Sequence, residues 1–490
     1  MRIPSLKQSI ATDATKLTAA KSITLIISLA SVMLLSRFRT LEEYSTYSQL
    51  LMVVNIITTI FMLGLPNSIN FFLARADADE EKQKFLSVYY SLNTLLSIIT
   101  GLVLVLSAPL IVRYFDNALI TNFIYVLAVS PWANIILSSI QNVYIVYKKS
   151  SQLMLFTVLN STFLLLIIIV VEIFNWDFNM YMILFVLVNA VFALSVYIIA
   201  NNLAGKLSLI FDTQLIRKIL TFSIPLGLAT VVGTISIELG KLFIGKLYNA
   251  AEFAIYTNAA KELPVTIIAA SLTAVLMPQL VRVLKDGNNE KAVKLWGDAT
   301  SLSYVFICFF ATGMFVYAPD VISLLYSDKF LPGVSVFRVY CIVLLLRCTY
   351  FGMILNSIGR TKFIFYSSVA ALLLNALFIY PCYLLFGFVG PAIASLISMG
   401  IVAVLQLIAT SVSINIPFKS VFPWRALGAI TLLNILMGLI FAFVKQAISL
   451  EITSGEIMES IILGIAWAIV YILIMLKYIK RQWGLLNTGY

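Results

Sequence analysis

Apolar runs of about 20 residues recur along the whole chain, separated by short polar breaks. A run of that length, wound as a helix, crosses the roughly 30 Å hydrocarbon core of a bilayer. The pattern predicts fourteen transmembrane helices, near 15–36, 44–73, 85–108, 119–147, 151–174, 178–203, 216–245, 252–282, 293–317, 331–357, 362–386, 388–412, 424–444 and 456–477. The fold class is therefore an all-α polytopic membrane protein. Pro131, Pro225, Pro264 and Pro278 fall inside these spans, and each removes a backbone hydrogen bond and invites a bend. The first apolar run leads straight into further membrane segments and reads as an uncleaved helix.

The pattern repeats. Residues 35–47, LSRFRTLEEYSTY, return 209 positions later as residues 244–256, IGKLYNAAEFAIY. Arg37 falls on Lys246, Glu43 on Glu252 and Tyr47 on Tyr256, and Glu81-Lys82 on Glu290-Lys291 further along. The same offset lays the first six predicted helices over the next six. Six is an even number, so both copies start from the same side and form parallel repeats. The predicted organisation is a first six-helix lobe over 1–205, a second over 206–415, and two further helices over 416–490. Repeats of this kind place a transport site at their interface.

Composition agrees with a bilayer environment, with 61% of residues hydrophobic and 11% charged. A net charge of +11 in a soluble protein would suggest nucleic acid. Here 23 of the 33 lysines and arginines fall on the side that bears the N-terminus, against six on the other. That asymmetry predicts cytoplasmic termini and no nucleic-acid partner. Cys308, Cys341, Cys348 and Cys382 all lie in apolar runs without C-x-x-C spacing, so neither a disulfide framework nor a zinc site is expected. Histidine is absent, which removes the usual general base, and no G-x-x-x-x-G-K-[ST] phosphate loop occurs. The expectation is a transporter without a cofactor rather than an enzyme.

Four basic residues remain inside predicted helices: Lys241, Lys261, Arg338 and Arg347. Glu238 and Glu262 accompany the two lysines. A charge at mid-bilayer costs at least ~2.5–3.5 kcal/mol on insertion scales, so each should face a cavity or a partner. Glu238, Lys241, Lys261 and Glu262 either pair among themselves across a helix hairpin or leave a lysine free to attract an anion. The offset places Leu29, Val32, Met52 and Val53 at the matching positions of the first copy, all uncharged, and this asymmetry points to function. Arg338 and Arg347 lie nine residues apart, about 180° around a helix, and cannot line one surface. Lys16 and Lys21, on the first helix, either anchor it or form a cationic inner mouth. Asn55, Asn67, Asn70 and Asn258 could hydrogen-bond sugar hydroxyls or act as interhelical glue.

Two stretches carry a family resemblance: LLSRFRTLEEYSTYSQLL after the first helix and FGMILNSIGRTKFIFYSSVAALLLNALF across the tenth and eleventh. With the six-plus-six-plus-two layout, the chain resembles the Wzx-type polysaccharide flippases of the multidrug/oligosaccharidyl-lipid/polysaccharide (MOP) exporter superfamily. The resemblance implies two six-helix lobes around a central cavity and alternating access in the bacterial cytoplasmic membrane. It implies a polyprenyl-linked oligosaccharide as substrate, with a polysaccharide polymerase and glycosyltransferases as possible partners. Carried over by helix position, the cavity candidates are Lys21, Glu238, Lys241, Lys261 and Glu262, with Lys16, Asn55, Asn70, Asn258, Arg338 and Arg347 second to them. The first copy departs from the drug-extruding branch in lacking buried carboxylates. A cation-coupled exporter and a lipid II flippase remain the alternatives on the same fold. A membrane polymerase would need a large external loop and a base, and the chain has neither.

Overall fold

The computed structural model describes residues 5–76, 78–261, 264–447 and 456–487, with the side chains at 5–20, 264, 274, 275, 361, 456, 457, 486 and 487 outside that description. All regular structure among these residues is helical. Two compact units emerge, Met1–Glu238 with Gly245–Ala254, and Leu239–Ile244 with Ile255–Tyr490.

The first unit is built from α1 (Ser5–Phe38), α2 (Leu41–Met62), α3 (Pro66–Phe72), α4 (Asp79–Leu106), α5 (Ala108–Phe115), α6 (Ile120–Leu127), α7 (Ser130–Val146), α8 (Ser150–Ile173), α9 (Phe178–Ala204) and most of α10 (Thr213–Leu247). The apolar spans predicted at 44–73 and 119–147 are each broken in two. Leu63 and Gly64 turn into the left-handed region, with φ of 50° and 70°, and end α2, after which Pro66 opens α3. Gly64 is obligatory there. A Cβ on it would sit 2.6 Å from the Gly227 backbone nitrogen of α10, and one on Gly227 would sit 2.4 Å from the Leu63 carbonyl carbon. Pro131 lies in the first turn of α7 rather than inside a helix, and α6 meets α7 at a bend of 47°. A core around Leu65, Ile69, Leu86, Tyr89, Ile136 and Val143 holds α3, α4 and α7 together.

The second unit contains most of the remaining helices: α11 (Ala250–Ala259), α12 (Ile267–Lys285), α13 (Asn289–Val316), α14 (Ala318–Leu325), α15 (Val334–Leu346), α16 (Met353–Ser357), α17 (Thr361–Phe386), α18 (Gly390–Ile414), α19 (Phe418–Val421), α20 (Trp424–Ala447) and α21 (Glu456–Asn487). The predicted span 252–282 is not continuous. Pro264 has no N–H to donate and disfavours helical geometry in the residue before it, so α11 stops short and a single turn of 3-10 helix precedes α12. The predicted span 331–357 also breaks, at 347–352 between α15 and α16. There the Thr349 hydroxyl accepts hydrogen bonds from Trp296 Nε1 (2.9 Å) and Thr300 Oγ1 (3.1 Å), tying the irregular backbone to α13.

The duplication read from the sequence is visible in local structure. Thr40 and Glu43 form a reciprocal capping box at the start of α2, with backbone-to-side-chain bonds of 3.1 and 3.2 Å. Asn249 and Glu252, 209 residues on, do the same at the start of α11, at 3.1 and 2.9 Å. This explains why the glutamate recurs: it satisfies backbone donors that a helix start leaves unpaired. The short α5 and α14 each open on Ala-Pro, and α4 and α13 are both 28 residues long. These last two are also the most buried spans, at 56% each, so each unit is organised round the same element.

Twelve described helical stretches are long and apolar enough to cross a membrane, and the bent pair α6–α7 makes thirteen. One of the twelve, Lys362–Ile414, has 53 residues, or about 80 Å of helix, too long for one crossing. It consists of α17 and α18, which pack on each other, so it is long enough for two spans, and counted that way the described residues hold fourteen candidates. Leu95, Ile98, Leu102 and Leu106 on α4 and Ile465, Ile469 and Leu473 on α21 are exposed. Apolar surface on this scale belongs against lipid.

Candidate functional site

The break that Pro264 imposes lies about 16 Å along from the start of α11, near the middle of a bilayer. Lys261 sits in it. Its backbone N–H reaches the Asn258 carbonyl at 3.2 Å, the last bond before the helix ends. Its side chain is exposed and lines a narrow cavity of about 20 Å³ with Met314, Phe337, Tyr340, Cys341, Val343, Leu344 and Arg347. Among the described residues no carboxylate lies within ion-pair distance of Lys261. Two charges of its own sign are near: Arg347 is on the cavity wall, and Lys241 is close enough for the two ammonium groups to repel.

Arg347 reaches this cavity because α15 ends at Leu346, leaving Arg347 as its C-terminal cap in the irregular stretch that follows. Arg338 points elsewhere. Its Nε donates to the Phe315 carbonyl at 3.2 Å and its guanidinium lies 5.5 Å from the Phe315 ring centre. The two arginines therefore diverge as their spacing requires, one to the cavity and one to a backbone carbonyl. Phe337, Tyr340 and Leu344 also line the cavity and were not singled out from the sequence. Their signal was present, since they step back from Arg347 at helical intervals along one face of α15.

The other candidates divide. Glu238 is buried on α10, and Lys241, one turn further along, is half-buried. Lys21 is exposed on α1, while the Lys16 side chain and the whole of Glu262 lie outside the described residues. Asn258 is buried on α11. Asn55 is exposed on α2, and its carbonyl accepts the Thr59 hydroxyl at 2.7 Å. Asn70 donates to Asn142 Oδ1 at 3.2 Å, and Asn142 donates to the Pro66 carbonyl at 2.8 Å. That chain of amides joins α3 to α7. Asn67 likewise belongs to the turn that opens α3, its N–H bonded to the Gly64 carbonyl at 3.1 Å.

The cavity, at about 20 Å³, has room for a water molecule or one small anionic oxygen, so a headgroup would have to widen it. The Lys261 ammonium brings up to three N–H donors to the cavity, whose wall also carries the Tyr340 hydroxyl and the Arg347 guanidinium. Such a set binds phosphate or carboxylate oxygens. Among the described residues no cluster of three metal-ligating side chains occurs.

No curated protein sequence matches the chain significantly. Solved structures do match. The lipid II flippase MurJ in an inward closed conformation is 18% identical with a TM-score of 0.76, over 94% of this chain and 99% of that one. An outward-facing multidrug resistance MATE family transporter of the MOP superfamily is 16% identical with a TM-score of 0.57, over 84% and 96%. A MOP superfamily transporter from Pyrococcus furiosus is 15% identical with a TM-score of 0.58, over 84% and 96%. At these identities the likeness establishes the fold, which this multi-pass membrane protein shares with MurJ and the MATE transporters. The sequence profile of one family, described as polysaccharide biosynthesis protein, matches residues 34–335, more than half of the chain. The chain thus belongs to the polysaccharide biosynthesis protein family.

Proposed function

We propose that the protein is a flippase for an undecaprenyl-(pyro)phosphate-linked oligosaccharide, moving the repeat unit across the bacterial cytoplasmic membrane for surface polysaccharide synthesis. The headgroup passes through the protein by alternating access while the polyprenyl tail stays in lipid. Lys261 carries this reading: it is a mid-membrane cation with no carboxylate in reach among the described residues and with Lys241 and Arg347 as neighbours. A lysine ammonium in a low-dielectric setting is unfavourable until an anion meets it, and the (pyro)phosphate of the carrier is such an anion. Family membership supports the polysaccharide context.

The alternative of lipid II as substrate draws on the likeness to MurJ, which extends over 94% of the chain against 84% for the MATE transporters. Both substrates carry a phosphate on a polyprenol, so Lys261 has the same role in either. Cells lacking the native gene, complemented with Lys261→Ala, should make no surface polysaccharide although the protein inserts at normal levels. Lys261→Arg should restore it. Full polysaccharide with the alanine variant would remove Lys261 from the site.

A further inference from the structure

The first unit contains a second cationic cleft, unrelated to Lys261. Gln214, Arg217, Lys218 and Thr221 follow one another on α10 at helical spacing and present one exposed face. With Phe72 and Phe222 they line an open cleft of about 580 Å³. The floor is aromatic: Phe71 stacks on Phe222 at 4.5 Å, Phe72 meets Phe222 edge-on at 5.8 Å, and the Arg75 guanidinium covers the outer side of Phe71 at 3.8 Å. The two walls are fixed, because α10 and the turn before α3 touch backbone to backbone at Gly227 and Gly64.

Among the described residues no carboxylate pairs with the charge in this cleft. The nearest carboxylate along the chain, Asp212, is engaged with Lys84 at 2.8 Å and with the Leu215 N–H at 3.0 Å. Those contacts hold its carboxyl below the usual carboxylate range. Among the described residues neither Arg217 nor Lys218 has an ion-pair partner. At 35 residues, about 52 Å, α10 is longer than the bilayer core, so its first turns stand at the headgroup level. The 209-residue offset puts Ser5, Gln8, Ser9 and Thr12 at the matching positions of the first copy, with no charge among them.

We propose that this cleft is a docking site for the phosphate headgroup of an anionic phospholipid, held by Arg217 and Lys218, with Gln214 and Thr221 bonding to the headgroup and the phenylalanine floor against its acyl chains. Phosphate, hydroxyl and apolar chain on one molecule match the cation, polar and aromatic surfaces of the cleft in that order. The bound lipid is not the transported molecule, so the assignment stands or falls separately from the flippase reading.

The test is lipid binding to the full-length detergent-purified protein, followed by native mass spectrometry. Wild type should retain phosphatidylglycerol over phosphatidylcholine. Arg217→Ala with Lys218→Ala should weaken phosphatidylglycerol binding by at least about tenfold, since each basic side chain near a lipid surface contributes several-fold. Lys148→Ala with Lys149→Ala, exposed basic residues elsewhere in the unit, should leave it unchanged. If the alanine pair fails to fold, wild-type binding across a salt series serves instead, and it should fall as salt rises. Unchanged binding in the alanine pair, or salt-independent binding, would overturn the proposal. So would displacement of the lipid by millimolar inorganic phosphate, or a requirement for polyprenyl phosphate in place of phosphatidylglycerol.

Discussion

The stretches α2–α3 and α11–α12 descend from one repeat and begin identically, yet they part company half-way along. Each opens on a capping box whose glutamate closes onto the residue three before it. In the first copy the helix then runs 22 residues without interruption, with Met52 buried in the wall. In the second copy the helix lasts ten residues and breaks, and Lys261 occupies the position of Met52. Pro264 stands where the first copy has Asn55. The comparison teaches that one proline converts an apolar wall position into an opening in the backbone, and the opening allows a charge to face a cavity. The charge and the break belong together: a lysine at Met52 in an unbroken helix would have to displace buried side chains.

Several substitutions would break or sharpen this contrast, beginning with the most damaging. Asn55→Pro would impose on α2 the interruption that α11 carries. It should destabilise the protein by about 3 kcal/mol or more, because α2 has no preformed turn there to absorb it. A thermal-unfolding midpoint lower by several degrees in detergent is the expected readout, and an unchanged midpoint would mean that α2 tolerates the same break. Next comes the turn after α2, which has no counterpart, since the offset puts Thr273 opposite Gly64. Gly64→Ala adds a left-handed penalty of about 1–2 kcal/mol to a backbone clash with α10. Its expression and melting temperature should therefore fall, whereas Thr273→Ala should change little. The smallest effect concerns what the copies share. Thr40→Ala and Asn249→Ala each remove a cap and should each cost about 0.5–2 kcal/mol, by similar amounts. A large loss at one site alone would show that only one box supports its helix.

The sequence made the membrane class, the duplication and the crossing count legible, because long apolar runs and a fixed offset do not depend on tertiary contacts. Helix continuity was less legible. The run 252–282 stays largely apolar across Pro264, so hydropathy hides the break, although a Lys-Glu pair one leucine before the proline marks it. The break at 347–352 contains no proline and is held by side chains of α13, which no local pattern reveals. Spacing alone separated Arg338 from Arg347, but assigning one to a carbonyl and the other to the cavity required neighbours distant in sequence. Asn70 was legible only as two alternatives, sugar ligand or interhelical glue, and its bond to Asn142 is a contact distant in sequence that no local pattern reveals. The glycine contact between α10 and the turn after α2 is a meeting of two backbones 163 residues apart, and neither glycine is distinguished by its local sequence.

The central claim is that Lys261 receives the phosphate of a lipid-linked sugar at the break in the second copy. Its most direct test is flipping of a fluorescent polyprenyl-pyrophosphate oligosaccharide by the purified protein in proteoliposomes. Wild type and Lys261→Arg should translocate it, and Lys261→Ala, reconstituted in equal amount and folded, should not. Wild-type rates with the alanine variant would contradict the account.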